Sequence, residues 1–331
     1  MSDIRREPIN HAVITGGAGA IGSRLVRRLL ADGASSVVVL DDLSSGYEWL
    51  LPSDRRVRFV RGDVCDIARL IPTPERQTVV FHLAAFFANQ NSVDHPTDDL
   101  HTNGLGTLSG LMWAAQHGLT RLVYASAGCS IAGHNIDAPI REDMPVSLFL
   151  DTPYQITKAL GEFYCNYYQS RVSTVRCRFF NSYGPGEVPG EYRNVIPNWI
   201  WKAMHGEPLH ITGTGDETRD FIYVNDLVDG LVRCGSVPEA TGEAFNLGTG
   251  IQTRVRDLAD MILRATGSSS EIRYAPRRAW DHSLRRQANI DKASTVLGLA
   301  PAVRLEQGIA ETVAWFVEER SRIEETIGAL A

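Results

Sequence analysis

Over the first two thirds of the chain, short runs of β-branched and apolar residues alternate with longer stretches whose apolar positions recur every three or four residues. The short runs predict strands at His11–Thr15, Ser36–Leu40, Val57–Arg61, Thr78–Leu83, Arg121–Ala125 and Thr174–Phe179. The longer stretches predict helices at Ile21–Asp32, Asp98–His117 and Tyr154–Ser170, the first two stopped by Gly33 and Gly118. Such alternation is the signature of β-α-β units stacked into an α/β fold with a doubly wound parallel sheet. After Gly184 the pattern changes to loops rich in Gly and Pro, short helices and isolated strands. The chain therefore divides into residues 1–183, with return segments around 221–250, and a smaller lobe made mainly of 184–331. A cleft between them is expected, and a last helix near Leu305–Ile327 presents a solvated face.

Composition narrows the possible functions. With 331 residues and 44% apolar content, the chain can bury a core without disulfides. Its formal net charge of -6, with both signs interspersed, offers no basic stripe for nucleic acid. Five scattered cysteines, Cys65, Cys129, Cys165, Cys177 and Cys234, show no C-x-x-C pair or metal-ligand spacing. They read as reduced thiols in a cytoplasmic protein without a metal. No run approaches the roughly 18 apolar residues that a membrane span requires.

The first strand leads directly into Gly16-Gly17-Ala18-Gly19-Ala20-Ile21-Gly22, with glycines at 16, 19 and 22 opening a helix. A tight turn, close approach of the backbone to a pyrophosphate and close helix-on-strand packing each require one of them. Asp41 ends the second strand, 19 residues past Gly22, where a carboxylate accepts ribose hydroxyls. Its charge repels a 2′-phosphate, and no arginine follows in Asp42-Leu43-Ser44-Ser45-Gly46. The fold expected is a Rossmann domain, and the cofactor NAD. Asp63-Val64 after the third strand and Ala84-Ala85 after the fourth fall where the crevice holds the rest of the dinucleotide. The amides of Asn89-Gln90-Asn91 fall where a sugar ring would lie.

Tyr154 and Lys158 stand one helical turn apart on one face. An ammonium beside a phenol favours the phenolate, whose pKa is otherwise about 10. Such a pair can take a proton from a hydroxyl while the carbon beneath gives hydride to a nicotinamide.

Taken together, Thr15-Gly16-Gly17-Ala18-Gly19-Ala20-Ile21-Gly22, Tyr154-x-x-x-Lys158 and Arg178-Phe179-Phe180-Asn181-Ser182-Tyr183-Gly184-Pro185-Gly186 resemble the extended short-chain dehydrogenase/reductase family, in its nucleotide-sugar epimerase and dehydratase branch. The likeness continues through Arg219-Asp220-Phe221-Ile222-Tyr223-Val224-Asn225-Asp226 and Asn246-Leu247-Gly248-Thr249-Gly250. It implies that Asn181 and Asn194 hold a substrate diphosphate, with Arg219 and Arg278 as cationic clamps and Asp281 near the nucleotide ribose. It further implies Asn89 as a sugar contact, Asn103 as a cofactor contact, and a homodimer through a four-helix interface built from Asp98–His117 and Tyr154–Ser170.

One position departs from the branch. A Ser or Thr usually stands beside the tyrosine at the end of the fifth strand, but alignment of Tyr124-Ala125-Ser126-Ala127-Gly128-Cys129-Ser130 puts Ala127 or Gly128 there. Ser126, Cys129 and Ser130 are the available donors. In the family, 4,6-dehydratases carry an Asp-Glu pair where this chain has Cys129 and Ser130, and decarboxylases also carry an acid there. Without an acid, a 4-keto sugar can only rotate and be reduced from its other face, so a 4-epimerase of a UDP-hexose-like substrate is expected. A dehydratase using Cys129 as the acid and a catalytically silent NAD-binding sensor are the alternatives.

Overall fold

The computed structural model describes residues 4–128, 132–133 and 139–328. Strands covered on both faces need apolar side chains on both, and β4 (Thr78–His82) and β5 (Arg121–Ala127) are buried at every position. β1 (His11–Thr15) and β2 (Ser36–Asp41) are nearly so, while β3 (Val57–Arg61) is half-buried and closes one edge. With β6 (Ser173–Phe179) and a further strand, Ala244–Leu247, they form one seven-stranded parallel sheet. Its order is Ala244–Leu247, β6, β5, β4, β1, β2, β3. This is the doubly wound sheet expected, with the chain reversing direction across the sheet between β1 and β4.

Three expectations need correction. Ala244–Leu247 was not among the expected strands, because four residues that include Asn246 carry little periodicity. The single helix expected over Asp98–His117 is Pro96–Asp99, a π-helical turn over Leu100–Leu105, and Gly106–Gln116. Glycine at 106 allows close packing there: a Cβ would lie 2.5 Å from Val64 Cγ1. The last helix is likewise two, Leu305–Glu318 and Arg320–Gly328.

Helices Ala20–Ala31 and Val224–Ser236 cover one sheet face through Leu25, Val26, Leu29, Val228 and Leu231. Gly106–Gln116 and Pro153–Tyr168 cover the other through Leu111, Trp113, Cys165 and Tyr168. A separate core joins Val195–Met204, Val255–Thr266 and Leu305–Glu318 around Trp199, Ile200, Ile262 and Phe316. Short strand pairs, Asn181–Tyr183 with Phe221–Tyr223 and Thr218–Arg219 with Thr253–Arg254, connect this part to the C-terminal edge of the sheet. Cys65, Cys165, Cys177 and Cys234 are unbridged. Among the described residues no helix is long and apolar enough to cross a membrane.

A buried ion pair locks Pro153–Tyr168 to the sheet. Arg178 on β6 donates two hydrogen bonds to Glu162, at 2.9 and 2.8 Å, with both side chains 6% exposed. Ser126 on β5 donates to the same carboxylate at 2.6 Å. Removing one partner strands a charge in the interior, so Arg178→Met is expected to cost about 3–5 kcal/mol of stability. The urea unfolding midpoint measures the loss, and Arg178→Met with Glu162→Leu should recover a large part of it.

Candidate active site

The dinucleotide loop folds against itself and against the end of β4. Gly16 has φ +69°, and a Cβ there would lie 2.7 Å from the Ala84 nitrogen. At Gly22 a Cβ would lie 2.4 Å from the Gly16 carbonyl oxygen. Side chains at either place would push this backbone apart, so the glycines keep it close-packed, with the N-terminus of Ala20–Ala31 facing the cleft. Asp41 is 7% exposed and braces the loop, its carboxylate accepting from the Ala18 and Leu43 amides, each at 2.9 Å. Burial pushes its pKa up, against the pull of those amides. A carboxylate has about four acceptor sites, so two ribose hydroxyls can still be accommodated. These features fit the adenosine and pyrophosphate of NAD.

Asp42 accepts from the amide and hydroxyl of Ser44. Asp63 accepts from the Cys65 amide at 2.7 Å and lies 3.0 Å from His101 Nε2. Burial works to raise the Asp63 pKa, but the Cys65 amide and His101 overcome it and hold the carboxyl below its ordinary value. Asp63, Cys65 and His101 are close enough that their donor atoms lie within 4.8 Å of one another. Burial beside Asp63 pushes the Cys65 thiol up to about 12, which makes it a poor source of thiolate.

A cleft of about 830 Å³ gathers Gly16, Gly19, Ala20, Ile21, Gly22, Asp41, Asp42, Asp63, Val64, Ala84 and Ala85 with Asn89, Asn181, Asn194, Arg219, Arg278 and Asp281. Tyr154, Lys158 and Ser126 line the same space. Asn103 does not: it is fully buried, and its amide bonds the Phe86 backbone and Asp99. It braces the loop after β4, which walls the cleft, from behind.

Helix Pro153–Tyr168 begins at a Thr152 cap with proline in its first turn, which fixes the exit of the preceding loop. Lys158, 2% exposed, donates from Nζ to the Ala125 carbonyl at 2.9 Å, and Nζ is 5.6 Å from the centre of the Tyr154 ring. Burial pulls the Lys158 pKa down to about 8, with the Asp99 charge opposing. Tyr154 is held by its amide, which donates to Ser92 Oγ at 3.0 Å, and by the Phe87 ring edge-on at 6.0 Å. Ser126 is 2% exposed and its proton is committed to Glu162. At Gly128 a Cβ would lie 2.4 Å from Phe180 Cε2, so the Phe180 ring fills the space of any side chain there. Cys129 and Ser130 lie outside the described residues.

On the other side of the cleft, Arg219 pairs with Asp281 at 3.4 Å rather than with its neighbour Asp220. Arg278 lies over the Trp280 ring, and Trp280 donates to Gln90 at 2.7 Å. Asn194 donates twice to Glu187, a buried acid of the cleft wall that stands alone in a loop and carried no signal beforehand. Burial pushes the Glu187 pKa up, against Arg193 and Asn194. Asp220 was also missed as an organiser: its carboxylate accepts from the Thr249 amide and hydroxyl and from the Gly250 and Ala288 amides. It thereby ties Asn246-Leu247-Gly248-Thr249-Gly250 to the segment after Asp281. Its place beside Arg219 in a polar run was the available signal.

Residues 12–248 match the model of the NAD dependent epimerase/dehydratase family, and the chain belongs to that family. It is thus an NAD-dependent enzyme of nucleotide-sugar chemistry, with the fold of its solved relatives. It is 38% identical over 311 residues to a UDP-glucose 4-epimerase of Mycolicibacterium smegmatis, covering 92% of this chain and 97% of the relative. A dTDP-glucose 4,6-dehydratase of Streptomyces niveus is 29% identical over 93% of each chain. Among solved structures, the epimerase Mth375 of Methanothermobacter thermautotrophicus superposes with a TM-score of 0.90 at 45% identity, over 96% of this chain and 94% of that one. Bordetella bronchiseptica WbmF in complex with NAD+ and UDP superposes at 0.83 with 36% identity, over 96% and 95%.

Burial sets the Lys158 titration near pH 8, so a reaction that needs its ammonium beside Tyr154 loses that charge over the same range. Turnover is expected to fall on the alkaline side with a midpoint near pH 8, read from initial rates across a pH series. Lys158→Met should lower turnover by about 10²–10⁴-fold at neutral pH.

Proposed function

We propose that the chain is a 4-epimerase of a nucleotide-activated hexose, with a UDP-sugar as substrate. One observation carries the choice among the family's reactions: the two positions that hold the acid pair of a 4,6-dehydratase are Cys129 and Ser130, neither of them an acid. Tyr154 takes the proton of the sugar C4 hydroxyl, with Lys158 holding charge beside it. NAD held against the glycine loop and Asp41 would supply the hydride acceptor for C4 and then the donor for its opposite face. Asn181 and Asn194 hold the diphosphate with Arg219 and Arg278, whose planar guanidinium groups suit it geometrically. Asp281, paired with Arg219, sits where the nucleotide ribose is expected. The cleft of about 830 Å³ is the common space in which cofactor and nucleotide sugar would lie together.

The UDP-glucose 4-epimerase relative and the UDP in the WbmF structure support the nucleotide. The dehydratase relative keeps elimination as the second reading, with Cys129 as the acid. Incubation of the purified protein with UDP-glucose, UDP-N-acetylglucosamine and UDP-glucuronate should interconvert at least one with its C4 epimer, without build-up of NADH. Product lighter by one water in the mass spectrum favours elimination instead. Tyr154→Phe should lower epimerisation by about 10²–10⁴-fold while NAD binding persists.

The same reading includes a homodimer. Leu100, Leu105 and Met112 with Ile156, Phe163 and Tyr167 expose large apolar side chains on two helical segments that pack side by side. Exposed apolar surface of this extent on adjacent helices suits a self-complementary four-helix contact. Light scattering after gel filtration should report a dimer, and Phe163→Arg a monomer.

A further inference from the structure

Beneath the proton-transfer pair lies a buried acid that the reaction described above does not use. Asp99 closes the short helix Pro96–Asp99 and is fully buried. One carboxylate oxygen accepts from the Thr157 hydroxyl at 2.8 Å, and the other from the Asn103 amide at 2.6 Å. Thr157 immediately precedes Lys158. Asn103, from the π-helical turn Leu100–Leu105, reaches on to the Phe86 backbone at 2.9 and 3.2 Å. Phe86 follows Ala84-Ala85 of the cleft wall and precedes Phe87, whose ring meets Tyr154. A continuous buried polar path therefore runs from the loop after β4, through Asn103 and Asp99, to the turn of helix that carries Lys158. π-helical turns are frequent at functional sites, and here the widened turn brings Asn103 into the interior.

The groups around Lys158 show what Asp99 can do there. From its own helix come Tyr154 and Glu162, and Glu162 is already paired with Arg178. β5 presents the Tyr124 ring, 5.4 Å from Nζ, and the Ala125 carbonyl. β4 presents His82, which burial, with Lys158 adding to it, pulls down to about 3 and keeps neutral. From the neighbouring helix comes Asp99, whose own pKa burial raises against Thr157, Asn103 and Lys158. Among these described groups Asp99 is the acid that no arginine neutralises.

We propose that Asp99 is a positioning residue of the active site: its carboxylate keeps Lys158 an ammonium at working pH and ties the catalytic helix to the loop that walls the cofactor. The proposal rests on the reading in which Lys158 supports Tyr154. An opposite charge in a buried setting moves a titration by one unit or more, and a neutral isostere removes that effect without changing shape.

The test reads Lys158 directly. The chain has three lysines, Lys158, Lys202 and Lys292, so lysine labelled at ¹³Cε gives a spectrum assignable with K202R and K292R. Asp99→Asn should shift the Lys158 titration midpoint downward by about one pH unit, and the alkaline fall in turnover should move with it. Thr157→Val loses one hydrogen bond but keeps the charge, and should leave the midpoint near that of the unaltered protein. An unmoved midpoint in folded Asp99→Asn overturns the proposal, as do equal shifts in Asp99→Asn and Thr157→Val. If Asp99→Asn does not fold, Asp99→Ser carries the same expectation and the same contradiction. Because the titration is read without substrate, its outcome is independent of whether the reaction is epimerisation.

Discussion

A lysine side chain removed from water and held against a strand is the constraint on which the rest of this site depends. An ammonium buried to this degree survives only with a partner, and Lys158 finds it in the Ala125 carbonyl at 2.9 Å. Tyr124 returns a bond from its hydroxyl to the Lys158 carbonyl, and Glu162, one turn further, takes Ser126 and Arg178. Three successive positions of β5, Tyr124, Ala125 and Ser126, are thus involved in holding one helix face. That attachment sets Tyr154 in the cleft wall with a charge beside it, and it leaves Ser126 committed to structure.

The departure at the third catalytic position follows from the same packing. Phe180 stands where a side chain at 128 would be, and the Gly128 amide continues the sheet ladder to the Phe179 carbonyl at 2.8 Å. A hydroxyl at residue 128 would displace an aromatic ring that packs with Ile140 and Ala288. The glycine is therefore part of a repacked pocket wall, and the proposed proton transfer would fall more heavily on Tyr154 and its buried neighbours.

Periodicity made the parallel sheet and its covering helices legible, because strands buried on both faces and amphipathic helices write their environment into every residue. The glycine loop was legible for a similar reason: Gly16 and Gly22 leave no room for a Cβ. Interruptions were harder to read. The π turn at Leu100–Leu105 depends on what Asn103 finds inside the fold, and that partner is the Phe86 backbone, distant in sequence. The bracing bonds of Asn103 to that backbone and to Asp99 were therefore not legible beforehand. Asp99, Glu187 and Asp220 escaped notice because an isolated acid in a helix or loop resembles a solvated residue until the structure shows it buried.

The central claim is that the pair Tyr154 and Lys158 drives a reversible oxidation at C4 within the cleft. The most direct measurement uses whichever nucleotide hexose is turned over, with deuterium at C4, and follows both rate and label. Slower turnover and deuterium kept on C4 of the epimer are the expected results. Label lost to solvent, or found on another carbon, would contradict the account.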